Sequence, residues 1–320
     1  MRRWGLLILL LAIWTPAGTV CAQGDASRLY RQLEAASLEV LVEGRLSGSG
    51  WFAASHGLAV TAAHVIKDRG RIEVLSPVAG RLKARLVATD LGHDLALLLV
   101  ERSGDHFPYL DLASTAPVLG ENLYLFGSPL FRHGLLVTGG LAKEETQFEW
   151  NDRNHCYTEV HALSAMTPEG FSGGAWVNAK GEVVGVQGGM MSWKGALMGI
   201  AFMSPVEPVA RLLNDKRTGE TISLGAMFSE PWESPAAATT SPEPEGLLVS
   251  QLVSGGPLAA AGIQKGDVLL AVNGQRVRYR DQLLRLVRRN QAGTQAMLTI
   301  RNREGAVCEV RVELHPRENY

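Results

Sequence analysis

The segment from Leu38 to about Ala210 is built from short alternating apolar runs, broken by Gly, Pro, Asn and Ser. Strands this short and this regularly spaced indicate an all-β sandwich or barrel. A short helical turn is expected just after His64 and a helix over 206–213. The runs that predict strands are 38–42, 57–61, 71–75, 82–89, 95–100, 122–126, 157–163, 175–177 and 183–187.

The composition changes between Ser229 and Glu245, where four prolines stand among Ala, Ser, Thr and Glu. A stretch with no core-forming residues is a linker or a long exposed loop. Beyond it, apolar alternation predicts further strands, and residues 279–289 carry one apolar helical face. The sequence therefore predicts a second, small α+β domain. Its expected strands are 246–253, 267–272, 295–301 and 306–314.

The N-terminus has two positive charges, then an apolar stretch, then small residues before Ala22. This pattern is typical of a secretory signal peptide, and the apolar stretch is shorter than the roughly 20 residues that span a bilayer. We expect residues 1–22 to be a signal peptide and 23–37 an N-terminal segment with a helix over 27–36. The mature protein is then exported, to the periplasm or beyond; an uncleaved anchor is the alternative.

Charge and cysteine content exclude several classes. The 31 Lys and Arg residues balance 32 Asp and Glu residues, which argues against a nucleic-acid surface. Once the signal peptide is removed, Cys156 and Cys308 remain in different predicted domains, and we expect two isolated thiols. The histidines outside the motif at His64 show no metal-ligand spacing, so neither a metal nor another cofactor is predicted.

Three short motifs carry candidate catalytic chemistry. The first motif is TAAH, which ends at His64. The second is HDLALL, whose second residue is Asp94, and the third is GFSGG, which is centred on Ser172. A serine hydroxyl is a poor nucleophile until an imidazole takes its proton, and the imidazole needs a carboxylate that holds its tautomer. The three motifs together, in the order His, Asp, Ser, therefore predict a catalytic triad.

The glycines around Ser172 suit an oxyanion hole made by the backbone amides of Gly170 and Ser172. The same five residues satisfy Gly-x-Ser-x-Gly, the nucleophile elbow of α/β-hydrolases. That fold requires a helix after the serine and a histidine later than the acid. Here a strand and a turn follow the serine, and the only later histidine is His315, so the elbow interpretation fails.

At these residues the chain resembles trypsin-like serine peptidases and, within them, the HtrA/Deg family of exported bacterial proteases. The resemblance spans roughly Leu38 to Leu213 and implies a double β-barrel with the triad in the cleft between the barrels. Phe171 stands where that family usually has a small polar residue. The segments that carry the resemblance are 48–52, 61–65, 94–98, 181–186 and 199–205.

The resemblance also implies a substrate pocket without charged residues, and hence cleavage after small or medium apolar residues. A Lys or Arg side chain would lose its hydration there without gaining a counter-charge. The pocket residues expected by analogy are Ala165, Met166, Thr167, Val186, Gln187 and Gly188.

Residues 256–270 and 272–274 resemble a bacterial PDZ domain, and 223–228 is similar to its first strand. This implies a carboxylate-binding loop at Leu224, Gly225 and Ala226, with a peptide added as a strand beside 225–228 and the 279–289 helix as the other groove wall. The predicted boundaries are 38–213 for the peptidase domain, 214–221 for a linker and 222–316 for the PDZ domain, with a Pro-rich insertion at 229–245.

Together these features predict an exported serine endopeptidase that cleaves unfolded or damaged proteins and binds peptide C-termini through its PDZ domain. The family resemblance further implies a homotrimer. The alternative is a catalytically silent binding or chaperone-like protein in which the PDZ domain does the work.

Overall fold

The computed structural model describes residues 21–66, 70–101, 106–233 and 245–317. The predicted signal peptide lies outside these ranges except for its last two residues, which begin helix α1 (Cys21–Ala36). Leu29 and Leu33 on one face of α1 are buried, and the Tyr30 hydroxyl donates to the Gly134 carbonyl at 2.9 Å. None of the described helices is long and apolar enough to cross a membrane.

The first six strands form a closed barrel in the order β1-β2-β3-β6-β5-β4. Strand β6 is apolar throughout and almost wholly buried, which matches its uninterrupted Leu and Ala sequence. A short 3₁₀ helix (Ala63–Ile66) follows β3 and gives the helical turn expected near His64. The strands are β1 (Ser37–Val42), β2 (Arg45–Phe52), β3 (Leu58–Ala62), β4 (Ile72–Ser76), β5 (Gly80–Asp90) and β6 (Leu95–Val100).

A seven-stranded sheet follows, in the order β13-β12-β11-β7-β8-β10-β9. Pairing of β10 with β13 closes six of these strands into a second barrel and leaves β9 outside it. The β9–β10 hairpin therefore projects from the barrel. The strands are β7 (Asn122–Gly127), β8 (Leu135–Leu141), β9 (Gln147–Asn151), β10 (Cys156–Ser164), β11 (Ala175–Val177), β12 (Val183–Trp193) and β13 (Ala196–Pro205).

Helix α2 (Val206–Asp215) ends the double barrel, and a small domain follows. Its sheet has the order β15-β16-β17-β19-β20, with β15 at an edge, while β18 pairs with β17 and β14 pairs with β21. The elements are β14 (Ile222–Ser223), β15 (Ala226–Ser229), β16 (Leu247–Leu252), α3 (Pro257–Ala260), β17 (Val268–Val272), β18 (Gln275–Arg276), α4 (Arg280–Arg288), β19 (Gln295–Arg301), β20 (Val307–Glu313) and β21 (His315–Pro316).

The small domain has its own apolar core, in which Phe228, Leu258, Leu283 and Leu298 are buried. The same cluster includes two residues of the β9–β10 hairpin, Phe148 and Tyr157. The core of the small domain therefore extends onto the double barrel. The mainly β architecture predicted from the sequence, two barrels and a small α+β domain, is confirmed.

Candidate active site

His64 and Asp94 are brought together at one end of the first barrel. His64 lies in the 3₁₀ helix after β3, and Asp94 lies in the turn before β6, the strand that pairs with β3. Their side chains meet with His64 Nδ1 2.5 Å from Asp94 Oδ2. The His64 backbone amide also donates to Asp94 Oδ1, at 2.9 Å. Asp94 Oδ2 therefore orients the ring, while Asp94 Oδ1 ties the carboxylate to the backbone of the same histidine.

Asp94 is held in an unusual backbone conformation and is almost fully buried. Its φ of 53° lies in the left-handed region, which non-glycine residues rarely adopt, so the surrounding structure must hold it there. The Asn154 side-chain amide donates to Asp94 Oδ1 at 3.3 Å. Asn154 lies in the turn of the β9–β10 hairpin, and the sequence analysis did not identify it because nothing local links it to Asp94.

Ser172 lies in the loop between β10 and β11, on the second barrel. Its hydroxyl donates to the Gly188 carbonyl at 3.4 Å, and its backbone carbonyl accepts from the Ser49 amide of the first barrel at 2.8 Å. Gly188 is also close to the acid, because a Cβ built at this glycine would lie 3.9 Å from Asp94 Oδ2. Ser172 and the His64–Asp94 pair therefore lie near each other at the boundary between the barrels.

The amides of Gly170 and Ser172 are free to bind an anion. Within the described part of the chain, neither amide donates to a protein acceptor. The Leu130 amide donates to the Glu169 carbonyl at 2.9 Å, which fixes the peptide unit between Glu169 and Gly170. Because the carbonyl and amide of a trans peptide point in opposite directions, the Gly170 N–H faces away from Leu130. Gly170 has φ 106°, a conformation that favours glycine.

Ser49 ties the nucleophile loop to the first barrel. Its hydroxyl donates to the Gly170 carbonyl at 2.7 Å and accepts from the Ser128 amide at 3.3 Å. Its own carbonyl accepts from the Thr61 hydroxyl at 2.7 Å. Ser49 is 1% exposed, so its hydroxyl cannot bond to water instead. Ser49 was part of a recognised motif, but its role in positioning Gly170 is visible only in the structure.

We expect Ser49→Ala to lower kcat/KM by up to about tenfold, because the Gly170 carbonyl then loses a hydrogen bond worth about 0.5–1.5 kcal/mol and the amides predicted to form the oxyanion hole become less well positioned. Ser250→Ala is the matched control: its hydroxyl also donates to a main-chain carbonyl, that of Met227 at 3.0 Å, but in the small domain. Steady-state cleavage of a fluorogenic peptide checks both. An equal loss in the two variants would show that Ser49 matters only for stability.

Comparison with known proteins finds two domain families in this chain. The trypsin-like peptidase domain family matches residues 48–186, and the PDZ domain family matches residues 248–302. A probable periplasmic serine endoprotease, DegP-like, from Pseudomonas putida is 33% identical over 283 residues, covering 87% of this chain and 56% of that protein. The chain therefore combines a trypsin-like peptidase domain with a PDZ domain. It spans about half the length of the curated relatives that it matches.

Two solved structures share the fold of this chain. The serine endoprotease from Yersinia pestis superposes with TM-score 0.62 at 22% identity, covering 91% of this chain and 97% of that one. The HtrA-type protease AlgW with decapeptide gives TM-score 0.65 at 20% identity, covering 91% and 98%. At these identities the likeness shows the fold alone.

The residues predicted to form a substrate pocket have different degrees of exposure. Met166 is exposed, whereas Ala165, Thr167 and Val186 are buried. Gln187 is also buried, and its side-chain amide is occupied: it accepts from the Trp176 indole at 2.8 Å and donates to Thr167 Oγ1 at 3.1 Å. Gly188 supplies the carbonyl that accepts from the nucleophile. The assignment of these residues to a substrate pocket stays a prediction.

The predicted carboxylate loop leads into β15, the edge strand of the PDZ sheet. Leu224 and Ala226 are buried, and Gly225 has φ 66°. The Gly225 amide donates to the Ser223 hydroxyl at 3.0 Å. A carboxylate-binding role for this loop stays a prediction.

Phe171, the departure from the family pattern, packs with its buried ring in the core of the second barrel.

His93, next to Asp94, lies between two carboxylates. Its Nδ1 is 2.9 Å from Asp90 Oδ2 and its Nε2 is 3.6 Å from Glu159 Oε2. Burial alone would lower the pKa of His93, but the hydrogen bonds with Asp90 and Glu159 outweigh it and raise that pKa. The hydrogen bond from His93 lowers the pKa of Glu159 to about 2. The described residues contain no group of three or more His, Cys, Asp or Glu side chains that could hold a metal ion.

We expect His93→Gln to reduce thermal stability in a pH-dependent way. Because the folded pKa of His93 is raised, its stabilisation is complete below about pH 6.5 and is lost as the pH rises through that folded pKa. On the acid side, the stabilisation is present above the unfolded pKa of Glu159 and is lost as the pH falls toward about 2. Melting temperatures from pH 3 to 9 check this, with exposed His56→Gln as control. A constant difference between His93→Gln and wild type across this range would contradict the assignment.

Proposed function

We propose that this protein is an exported serine endopeptidase in which Ser172, His64 and Asp94 form the catalytic triad. The observation that carries the proposal is the His64–Asp94 pair, with 2.5 Å between Nδ1 and Oδ2, near a serine whose own amide and that of Gly170 have no protein acceptor among the described residues. The names of the curated relatives, probable periplasmic serine endoproteases, support both the reaction and the periplasm as its place.

In the proposed reaction His64 takes the proton of Ser172 through Nε2, because its Nδ1 is occupied by Asp94. The serine oxygen attacks the scissile carbonyl and forms a tetrahedral intermediate. The amides of Gly170 and Ser172 donate to the oxyanion. His64 then gives its proton to the leaving amine, and a water molecule, activated in the same way, hydrolyses the acyl-enzyme. No cofactor takes part in these steps.

Unfolded or damaged polypeptides are the proposed substrates, and peptide C-termini are the proposed ligands of the PDZ domain. Among the described strands β15 pairs only with β16, so its other edge is where a peptide strand would be added. One structural neighbour, the HtrA-type protease AlgW, has been solved with a decapeptide, which supports a peptide-binding role.

Cleavage is expected mainly after Ala, Val or Leu. The six pocket residues carry no charge, so a Lys or Arg side chain would be desolvated without compensation. Mass spectrometry of the fragments of an unfolded protein, normalised to the frequency of each residue type, measures the preference. The Ser172→Ala variant serves as the control for contaminating proteases. Cut sites mostly after Lys or Arg would reject this pocket.

A further inference from the structure

Tyr157 of the β9–β10 hairpin binds the edge strand of the PDZ domain. Its hydroxyl accepts from the Phe228 amide at 2.8 Å and donates to the Phe228 carbonyl at 3.3 Å. Burial raises the pKa of Tyr157 to about 12, so the hydroxyl keeps its proton and can serve both bonds. A single side chain thus satisfies both main-chain groups of Phe228.

The amide and carbonyl of Phe228 are the groups with which an added peptide strand would pair. In an edge strand, alternate residues direct both N–H and C=O away from the sheet, and a ligand strand pairs with them. Phe228 is such a residue of β15, because both of its groups bind outside the sheet. Arg280 of α4 also donates to the Phe228 carbonyl, at 3.4 Å. A peptide cannot pair with Phe228 while Tyr157 is in place.

Phe148 of the same hairpin occupies the apolar side of the groove. It is 1% exposed and belongs to the PDZ core cluster, together with Leu283 and Val287 of α4. Its backbone amide donates to Asp281 Oδ1 at 3.0 Å, at the start of α4. A main-chain donor and an aromatic ring therefore enter the space between α4 and β15, as a bound peptide would.

Three arginines of α4 also contact the β9–β10 hairpin and the residue just before it. The Arg285 guanidinium donates to the Thr146 carbonyl, and the Arg288 guanidinium donates to the Tyr157 carbonyl. The guanidinium of Arg280 lies 5.9 Å from the centre of the Tyr157 ring. These contacts involve main-chain oxygens and ring faces, which are also the features that a peptide ligand offers.

We propose that the β9–β10 hairpin is an internal ligand of the PDZ groove, and that a peptide with a free C-terminus binds there by displacing it. The inference rests on the proposed function, since it takes β15 and α4 as the walls of the peptide site. The apparent affinity for the peptide is then reduced by the small fraction of molecules in which the hairpin is released. Weakening the hairpin contact must tighten peptide binding.

The test uses the full chain with Ser172→Ala, so that the peptide is not cut. Fluorescence anisotropy measures binding of a labelled ten-residue peptide ending in Ala-Leu-Val and of its C-terminally amidated twin. Tyr157→Phe removes only the hydroxyl and is expected to bind the free acid about fivefold more tightly. Phe148→Ala is expected to tighten binding further. Tyr30→Phe is the matched control, because it loses a hydroxyl bond to the Gly134 carbonyl far from the groove.

The measurements distinguish failure of the hairpin inference from failure of the proposed peptide-binding function. If all these proteins bind the free acid with equal affinity, the groove is open and the inference is overturned, while the peptide-binding function stands. If none prefers the free acid to the amide, the peptide-binding function fails and the inference fails with it. Tighter binding in Tyr157→Phe but not in Tyr30→Phe supports the hairpin as the internal ligand.

Discussion

Ser172→Ala is expected to lower peptide-bond cleavage by at least about 10⁴-fold while leaving the fold intact. The substitution removes the nucleophilic oxygen, and alanine occupies less space than serine in the same loop. His64→Ala should have a similar effect, and the double variant should be little worse than either, because members of a triad act as a unit. Cleavage of an unfolded casein-like substrate, followed by gel and by fluorogenic peptide, measures the loss.

A fluorophosphonate probe supplies the complementary readout. Wild-type protein should be labelled on Ser172, and Ser172→Ala should not be labelled at all. Thermal melting shows whether the variant is folded. Wild-type cleavage rates in purified Ser172→Ala would refute the triad. An unlabelled, inactive wild-type protein would favour the alternative, a catalytically silent binding protein.

Gly173→Ala is expected to destabilise the protein by roughly 3 kcal/mol and to abolish activity at the same time. A Cβ at this position would lie 2.2 Å from the Ser49 carbonyl oxygen and 2.2 Å from Thr61 Oγ1, and the backbone has φ 88°. Both barrels contribute to this contact, so the new atom cannot be accommodated without moving one barrel relative to the other. Calorimetry should show a melting temperature about 6–12 °C lower.

Gly189→Ala is the matched control for that experiment. A Cβ at Gly189 would meet nothing within 4 Å, although the residue lies on β12 close to the site. Its effect on stability should stay within about 0.5 kcal/mol. A similar melting temperature for Gly173→Ala and Gly189→Ala would mean that the loop around Ser172 is far more adaptable than its contacts indicate.

The sequence predicted the parts of the site that local pattern determines. His64, Asp94 and Ser172 each lie in a short motif, and the order of the motifs predicts the roles that we propose for them. The contacts that hold the site together are not local. Ser49 is 121 residues from Gly170, and Asn154 is 60 residues from Asp94. A single sequence contains no signal for such pairs.

Strands were likewise predicted where their own sequence shows a clear apolar pattern, and missed where it does not. Strand β6 is a continuous apolar run and was predicted at its observed position. Strand β8 contains Gly139 and Gly140, and β9 mixes Trp and Phe with polar residues, so neither gave a strand pattern. The aromatic residues of β9 are explained only by a surface that lies in the next domain. His93, which has no metal-ligand spacing in the sequence, lies between two carboxylates that are distant from each other in the chain.

The shared core of the β9–β10 hairpin and the small domain limits how this chain can be recombined. Phe148 and Tyr157 are buried against Phe228 and α4, across a boundary that sequence comparison places between two independent families. A chimera that received a foreign PDZ domain at the linker would leave two aromatic rings without a partner surface. A chimera that keeps this core intact must transfer residues 143–159 together with the small domain that they contact. The segment that has to be exchanged is therefore larger than the small domain itself.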